Sequence, residues 1–212
     1  MQRVAAFAPA APCDVLDIGG GQLALLCQKL WQDRAAVADV VTDDLEFVHS
    51  QGVDTIRWNL AEEDAPFDRR FDVVLYSEVI EHLPIPGYVS LGRLRAVLKP
   101  GGVLICTTPN FYRLRNVVFV ATGQRIYDDF KLPTDGPTGH VIEYDAPRLQ
   151  WQLERAGFEN PQIELCQFSH RPHDLTHRVL SWIGAPLFKV PRFRDNLVAV
   201  AHAPAAADQP TA

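Results

Sequence analysis

The amino-acid sequence predicts an α/β protein built on a doubly wound, mostly parallel sheet, and three observations carry that reading. Short apolar runs alternate along the chain with segments whose apolar residues recur at helical spacing. One such run, residues 71–76, has the near-continuous apolar character of a central parallel strand buried on both faces. Residues 14–30, DVLDIGGGQLALLCQKL, join a strand to a helix through three consecutive glycines, the kind of connection at which such sheets bind ligands.

In chain order, residues 1–12 are expected to be a short leader, alanine-rich and interrupted by Pro9 and Pro12. Val15, Leu16 and Ile18 form the first strand, and Leu23, Leu26, Cys27 and Leu30 the apolar face of the first helix. Residues 35–39 are the second strand. Thr42, followed by Asp43 and Asp44, is an N-cap with acidic first-turn residues for a second helix ended by Gly52. Residues 53–58 are the third strand and 71–76 the fourth. A helix over 91–98, a Lys-Pro-Gly-Gly turn over 99–102 and a strand over 103–107 follow. From 109 to 140 the pattern is irregular: an amphipathic piece carrying Leu114, Val117, Val118 and Val120, then a polar stretch ending in Thr138-Gly139-His140. Irregular segments of this length inside a compact domain are usually functional, so 109–140 reads as a substrate lid. Asp145 with Pro147 starts a helix that Gly157 stops, residues 161–168 are the sixth strand, and 195–202 are the last. Residues 168–194 form a second lid insertion, 1–202 a single domain, and 203–212 a frayed tail.

A chain of 212 residues suffices for one well-buried α/β domain and is short for two. Its formal charge of −6 provides no general attraction for nucleic acid, so no nucleic-acid partner is expected. Cys13, Cys27, Cys106 and Cys166 lack paired metal spacing, and no apolar run reaches membrane-spanning length. A reducing, cytoplasmic setting is expected.

The glycine loop admits two ligand classes. Gly19, Gly21 and Ala24 satisfy the dinucleotide fingerprint, with Asp39 at about the expected ribose distance. Asp17 argues against it: a carboxylate at the strand end is a poor neighbour for a pyrophosphate and suits a ligand bearing an ammonium and a sulfonium, as S-adenosylmethionine does. Together with FDVVLYSEVIEHLP at 71–84 and LKPGGVLICTTPN at 98–110, the loop resembles the class I S-adenosylmethionine-dependent methyltransferases, with a weaker match onward to about Phe158. The resemblance implies a Rossmann-like seven-stranded sheet with an antiparallel last strand. It implies that Asp17, Gly19, Gly20 and Gly21 hold the methionyl end of the cofactor, that Asp39 accepts from the ribose hydroxyls, and that Asn59 and Leu60 lie against the adenine. Leu23 stands where the family usually has a further glycine.

Residues after Tyr76, beginning with Ser77, fall outside the carboxyl end of a central strand and should line the cofactor site. Glu78, Glu81 and His82 would share one face if they occupied a helical turn. Here the sequence is similar to ubiquinone-pathway O-methyltransferases and small-RNA ribose 2′-O-methyltransferases, in which this motif and a later histidine hold a metal. That likeness implies Glu78, Glu81, His82 and His140 as ligands of a divalent cation such as Mg; methyltransferases with the same motif and no metal are the alternative. His140 also reads as a general base that deprotonates an acceptor hydroxyl or amine, with His82 beside it as a second catalytic candidate, or as a structural histidine of the lid. His170, His173 and His177 have a zinc-like spacing, but Pro172 and the flanking Arg171 and Arg178 oppose a cation there. The basic amphipathic stretch 175–193 reads as a cover for the substrate pocket, with a peripheral membrane contact or a lipid-linked acceptor as the alternative.

The function expected from these residues is S-adenosylmethionine-dependent methyl transfer to a small-molecule acceptor, at a hydroxyl oxygen. A catalytically silent cofactor-binding module and a nicotinamide-dependent dehydrogenase are the rival readings.

Overall fold

The structure is a computed structural model and describes residues 12–32, 34–41, 45–127, 129, 139–167 and 189–205. The N-cap proposed at Thr42, the polar part of the first lid at 130–138, the segment 168–188 with His170, His173 and His177, and most of the leader and tail lie outside the described residues.

The strands are β1 (Asp14–Ile18), β2 (Arg34–Asp39), β3 (Asp54–Arg57), β4 (Phe71–Ser77), β5 (Leu98–Pro109), β6 (Glu159–Cys166) and β7 (Asn196–His202). They form one seven-stranded sheet in the order β3-β2-β1-β4-β5-β7-β6. The pairs from β3 to β5 are parallel, while β7 runs antiparallel to β5 and β6, as the sequence resemblance implied. The order reverses at β1 and β4, and their carboxyl ends therefore open a crevice at which ligands bind in sheets of this kind.

Successive side chains of β4 point to opposite faces, and both faces are covered. Val74 and Tyr76 enter a core with Leu16, Leu104, Leu149 and Leu153, while Val73 and Leu75 pack with Val15, Cys27 and Ile105 on the other side. This explains why residues 71–76 contain almost no polar side chain.

Helix α1 (Gln22–Trp31) buries Ala24 and Cys27, whereas Leu26 and Leu30 are exposed. The expected face was misplaced because the small residue at 24, next to the sheet, sets the line of contact. Helix α2 (Glu46–Ser50) ends at Gly52, whose φ of 82° is the left-handed value that stops a helix. Helix α3 spans Gly87–Ala96 and not 91–98, because Leu98 already pairs with Phe71 in the sheet. Its first residue is a glycine, and a side chain there would meet the Tyr144 hydroxyl at 2.8 Å. The residues read as a turn, 99–102, lie within an irregular stretch of β5. Helix α4 (Leu114–Ala121) buries Asn116 and leaves Val117, Val118 and Val120 exposed. Helix α5 (Ala146–Arg155) follows its sequence signals: the Asp145 carboxylate accepts from the Arg148 backbone N–H at 2.8 Å, and Gly157 ends it at φ 84°. Among the described residues no helix is long and apolar enough to cross a membrane.

Candidate active site

The glycine loop leaves β1 with Gly19 at φ 105° and Gly21 at φ 72°, conformations that side chains rarely adopt. The Gly19 N–H donates to the Ala38 carbonyl at 3.0 Å, which ties the loop to β2. Asp17 is buried, and its Oδ2 accepts from the backbone N–H groups of Leu23 (3.1 Å) and Ala24 (3.0 Å). Its carboxylate therefore caps α1 from the preceding strand, satisfying two donors that the loop would otherwise present to a ligand. Burial raises its pKa to about 7; the two N–H groups pull it back, and the charge of Asp39 adds to the rise. A side chain built at Gly20 would meet nothing within 4 Å, so this backbone is open to an incoming ligand.

Asp39 ends β2, and its Oδ1 accepts from Val41 N–H at 3.3 Å in an exposed turn. Asn59 Oδ1 accepts from Ala61 N–H at 3.1 Å and so shapes its own turn. Leu60 lies in the core beside Trp58, and its carbonyl accepts from Arg93 Nη1 at 2.8 Å. Ser77 is the last residue of β4 and pairs with Thr107.

The expected helical turn over 78–82 is shorter than the motif. A 3₁₀ turn begins only at Ile80 and spans Ile80–His82, and Glu78 precedes it at φ 55°. Glu78 is exposed, and its Oε1 accepts from Thr107 Oγ1 (2.8 Å) and Asn196 Nδ2 (3.0 Å). It stands apart from Glu81, His82 and His140, whose potential ligand atoms all lie within 4.8 Å of one another. Glu81 is buried; its Oε2 accepts from Thr108 Oγ1 at 2.9 Å, and its Oε1 has no hydrogen-bond partner. Burial, reinforced by the charge of Glu78, raises the Glu81 pKa to about 7.

His140 arrives here because the backbone N–H groups of Val141 (2.8 Å) and Ile142 (3.2 Å) donate to the Glu81 carbonyl. Its ring stands edge-on to that of His82, with centroids 4.9 Å apart, and His82 Nδ1 lies 3.2 Å from the Gly139 carbonyl, which can only accept. His140 Nδ1 lies 3.1 Å from Glu143 Oε1. This contact raises its pKa, against a smaller opposing effect of burial. Glu143 was not anticipated from sequence, although the H-x-x-E spacing at 140–143 carries it.

A side chain at Gly19 would touch Val79 at 3.3 Å, so the glycine loop and the Glu81–His82 turn are neighbours at the mouth of one crevice. Beside it, a cleft of ≈ 500 Å³ is lined by Pro84, Ile85, Ile142, Arg148 and Gln152, among others. A second of ≈ 350 Å³ is lined by Phe111, Tyr127, Glu143 and Arg148, among others. These volumes lie in the range of small-molecule sites. The arrangement thus combines an open glycine loop, a buried carboxylate, two imidazoles and an adjoining pocket.

Comparison with known proteins bears on the family and the fold. The profile of the family described as "Methyltransferase domain" matches residues 1–163. A ubiquinone biosynthesis O-methyltransferase of Cereibacter sphaeroides is 37% identical over 102 residues, 45% of this chain and 41% of that relative, so the match spans less than half of either protein. A SAM-dependent methyltransferase of Archaeoglobus fulgidus has a TM-score of 0.63 at 20% identity, over 95% of this chain and 90% of that one. An S-adenosylmethionine-dependent methyltransferase of Mesorhizobium loti has a TM-score of 0.63 at 16% identity, covering 95% and 96%. At such identities the structural likeness carries the fold, and the family match carries the assignment: the chain belongs to the methyltransferase domain family.

Proposed function

We propose that the protein transfers the methyl group of S-adenosylmethionine to a hydroxyl oxygen of a small-molecule acceptor. The observation that carries this reading is His140, brought against His82 and the buried Glu81 at the carboxyl end of β4, next to the open glycine loop. The residues present fit the cofactor: the backbone at Gly20 is open to the methionyl end, and Asp39 ends β2 with a carboxylate whose Oδ1 accepts from Val41 N–H. The cofactor supplies an activated methyl group, and the protein's share is alignment and proton removal. His140 takes the acceptor proton, since a carboxylate at Nδ1 leaves Nε2 as the basic nitrogen. The open cleft beside residues 84–86 receives the acceptor.

The likeness to ubiquinone biosynthesis O-methyltransferases supports oxygen as the target. The experiment is turnover to S-adenosylhomocysteine with a panel of phenols and alcohols, in wild type and His140→Ala. Loss of about 100-fold or more in kcat, partly recovered at higher pH, is expected for a base. Full activity of His140→Ala removes this role.

A second reading, in which a divalent cation orients the acceptor hydroxyl, rests on the convergence of Glu81, His82 and His140 within 4.8 Å and on Glu81 Oε1, which has no hydrogen-bond partner and lies 3.9 Å from His82 Nε2. These three would hold the ion; Glu78 Oε1 is engaged by Thr107 and Asn196 outside this cluster. Undiminished turnover in a chelator removes it.

A further inference from the structure

Glu143 is buried in the wall of the site, and its two oxygens are used unequally. Oε1 receives both Arg113 Nη2 at 3.0 Å and His140 Nδ1 at 3.1 Å, while Oε2 is buried with no hydrogen-bond partner. A carboxylate that served only to neutralise the arginine would gain most from a two-pronged pairing with the guanidinium, one oxygen to each N–H. Here that pairing is given up: Arg113 Nε is turned to Asn116 Oδ1 at 3.1 Å, and the carboxylate presents a single oxygen to arginine and histidine together.

The backbone around Glu143 is clamped on both sides. On one side, Val141 and Ile142 donate to the Glu81 carbonyl. On the other, Phe111 N–H donates to the Tyr144 carbonyl at 2.7 Å, and Asn110 and Tyr144 form a β-bridge. Asn110 is itself anchored, with Nδ2 donating to the Arg192 and Arg194 carbonyls at 2.9 and 2.8 Å. A side chain held this way keeps its position while an acceptor enters and leaves.

We infer that Glu143 is the positioning residue of the site: its Oε1 accepts the Nδ1 proton of His140, fixes the ring and keeps the lone pair on Nε2. An ionised carboxylate can only accept, so the shared hydrogen must be on the imidazole, and a neutral ring then has its free nitrogen at Nε2. Arg113 shares the same oxygen, while the backbone clamp on both sides keeps Glu143 in place. The inference deepens the reading of His140 as the proton-accepting group and rests on it for its catalytic consequence, but the tautomer itself does not depend on turnover.

The test is long-range hydrogen–nitrogen correlation NMR on protein labelled at histidine nitrogen, recorded where His140 is neutral and assigned with His140→Gln. Wild type should show Nδ1 protonated and Nε2 bare. Glu143→Ala should move the proton to Nε2 in most molecules and lower kcat about 10- to 100-fold, with S-adenosylhomocysteine affinity unchanged. Because Glu143→Ala removes the carboxylate partner of the half-buried Arg113, the same spectrum is taken for Arg113→Met and for the double variant Arg113→Met/Glu143→Ala. The single Arg113 variant should keep the wild-type tautomer, and the double variant should lose it. A wild-type ring protonated at Nε2, or one tautomer common to wild type and the double variant, overturns the inference. If the tautomer shifts as expected while His140→Ala retains full turnover, the positioning stands and the proposed base is lost.

Discussion

The decisive side chains are carboxylates withdrawn from water, and their energetics give a testable sign. Glu81 is 1% exposed with one oxygen lacking a hydrogen bond, and its pKa rises from an ordinary 4.5 to about 7. Between those values the folded protein holds a proton that the unfolded chain has released, so stability falls as pH rises through the window. The full difference amounts to roughly 3 kcal/mol as an upper bound. Asp17, raised to about 7 by burial, contributes with the same sign. Urea midpoints should therefore decline from about pH 4.5 to about pH 7, and Glu81→Gln, which mimics the neutral carboxyl, should flatten the decline and leave the share of Asp17. An unchanged slope in Glu81→Gln would mean that folding leaves the pKa of this carboxyl unshifted. The same burial explains what the residue types could not convey. Glu78, Glu81 and His82 look equivalent as a motif, yet the left-handed backbone at Glu78 turns it toward Thr107 and Asn196, and only Glu81 and His82 face His140.

At the scale of elements, the strands were largely legible because burial on both faces requires apolar runs, and β4 and β7 fall within a residue or two of their expected limits. Helix α5 was legible for a different reason: its cap, proline and terminal glycine are local signals. Positions set by tertiary contact were not legible. The first residue of α3, Gly87, lies against the Tyr144 hydroxyl, and Glu143 enters the site only because residues 141, 142 and 144 are tied to two distant segments. The glycine loop lets backbone conformation be separated from ligand approach. At Gly21 a side chain would sit 3.1 Å from Val48 Cγ1 at a φ of 72°, so Gly21→Ala should cost about 1–3 kcal/mol of stability before any ligand is considered. At Gly20 the space is open, so Gly20→Ala should leave stability within about 0.5 kcal/mol and still weaken S-adenosylhomocysteine binding if the ligand rests on that backbone. Denaturant titration and calorimetry on the two variants distinguish the cases; unaltered affinity in Gly20→Ala would place the methionyl end elsewhere.

At the scale of the whole molecule, the sheet order brings segments distant in sequence to one end of the fold: the loop after β1, the end of β2, the turn after β4 and the chain at 139–144. None of these contacts survives unfolding, so a ligand bridging them binds the folded state alone and stabilises it by linkage. S-Adenosylhomocysteine at 100 times its Kd should add about 2.7 kcal/mol, which for a domain of this size raises Tm by roughly 5–10 °C. Asp39 is half-buried at the end of β2 and its Oδ1 bonds within its own turn to Val41, so Asp39→Ala should change the unliganded Tm little while reducing the shift, since losing a charged hydrogen-bond acceptor costs about 1.5–3 kcal/mol of affinity. NADH, whose pyrophosphate would approach the Asp17 and Asp39 carboxylates, should produce no comparable shift. Stabilisation by NADH with none by S-adenosylhomocysteine would contradict the proposed cofactor, whereas a shift equal in Asp39→Ala and wild type would retain the cofactor and remove Asp39 from its site.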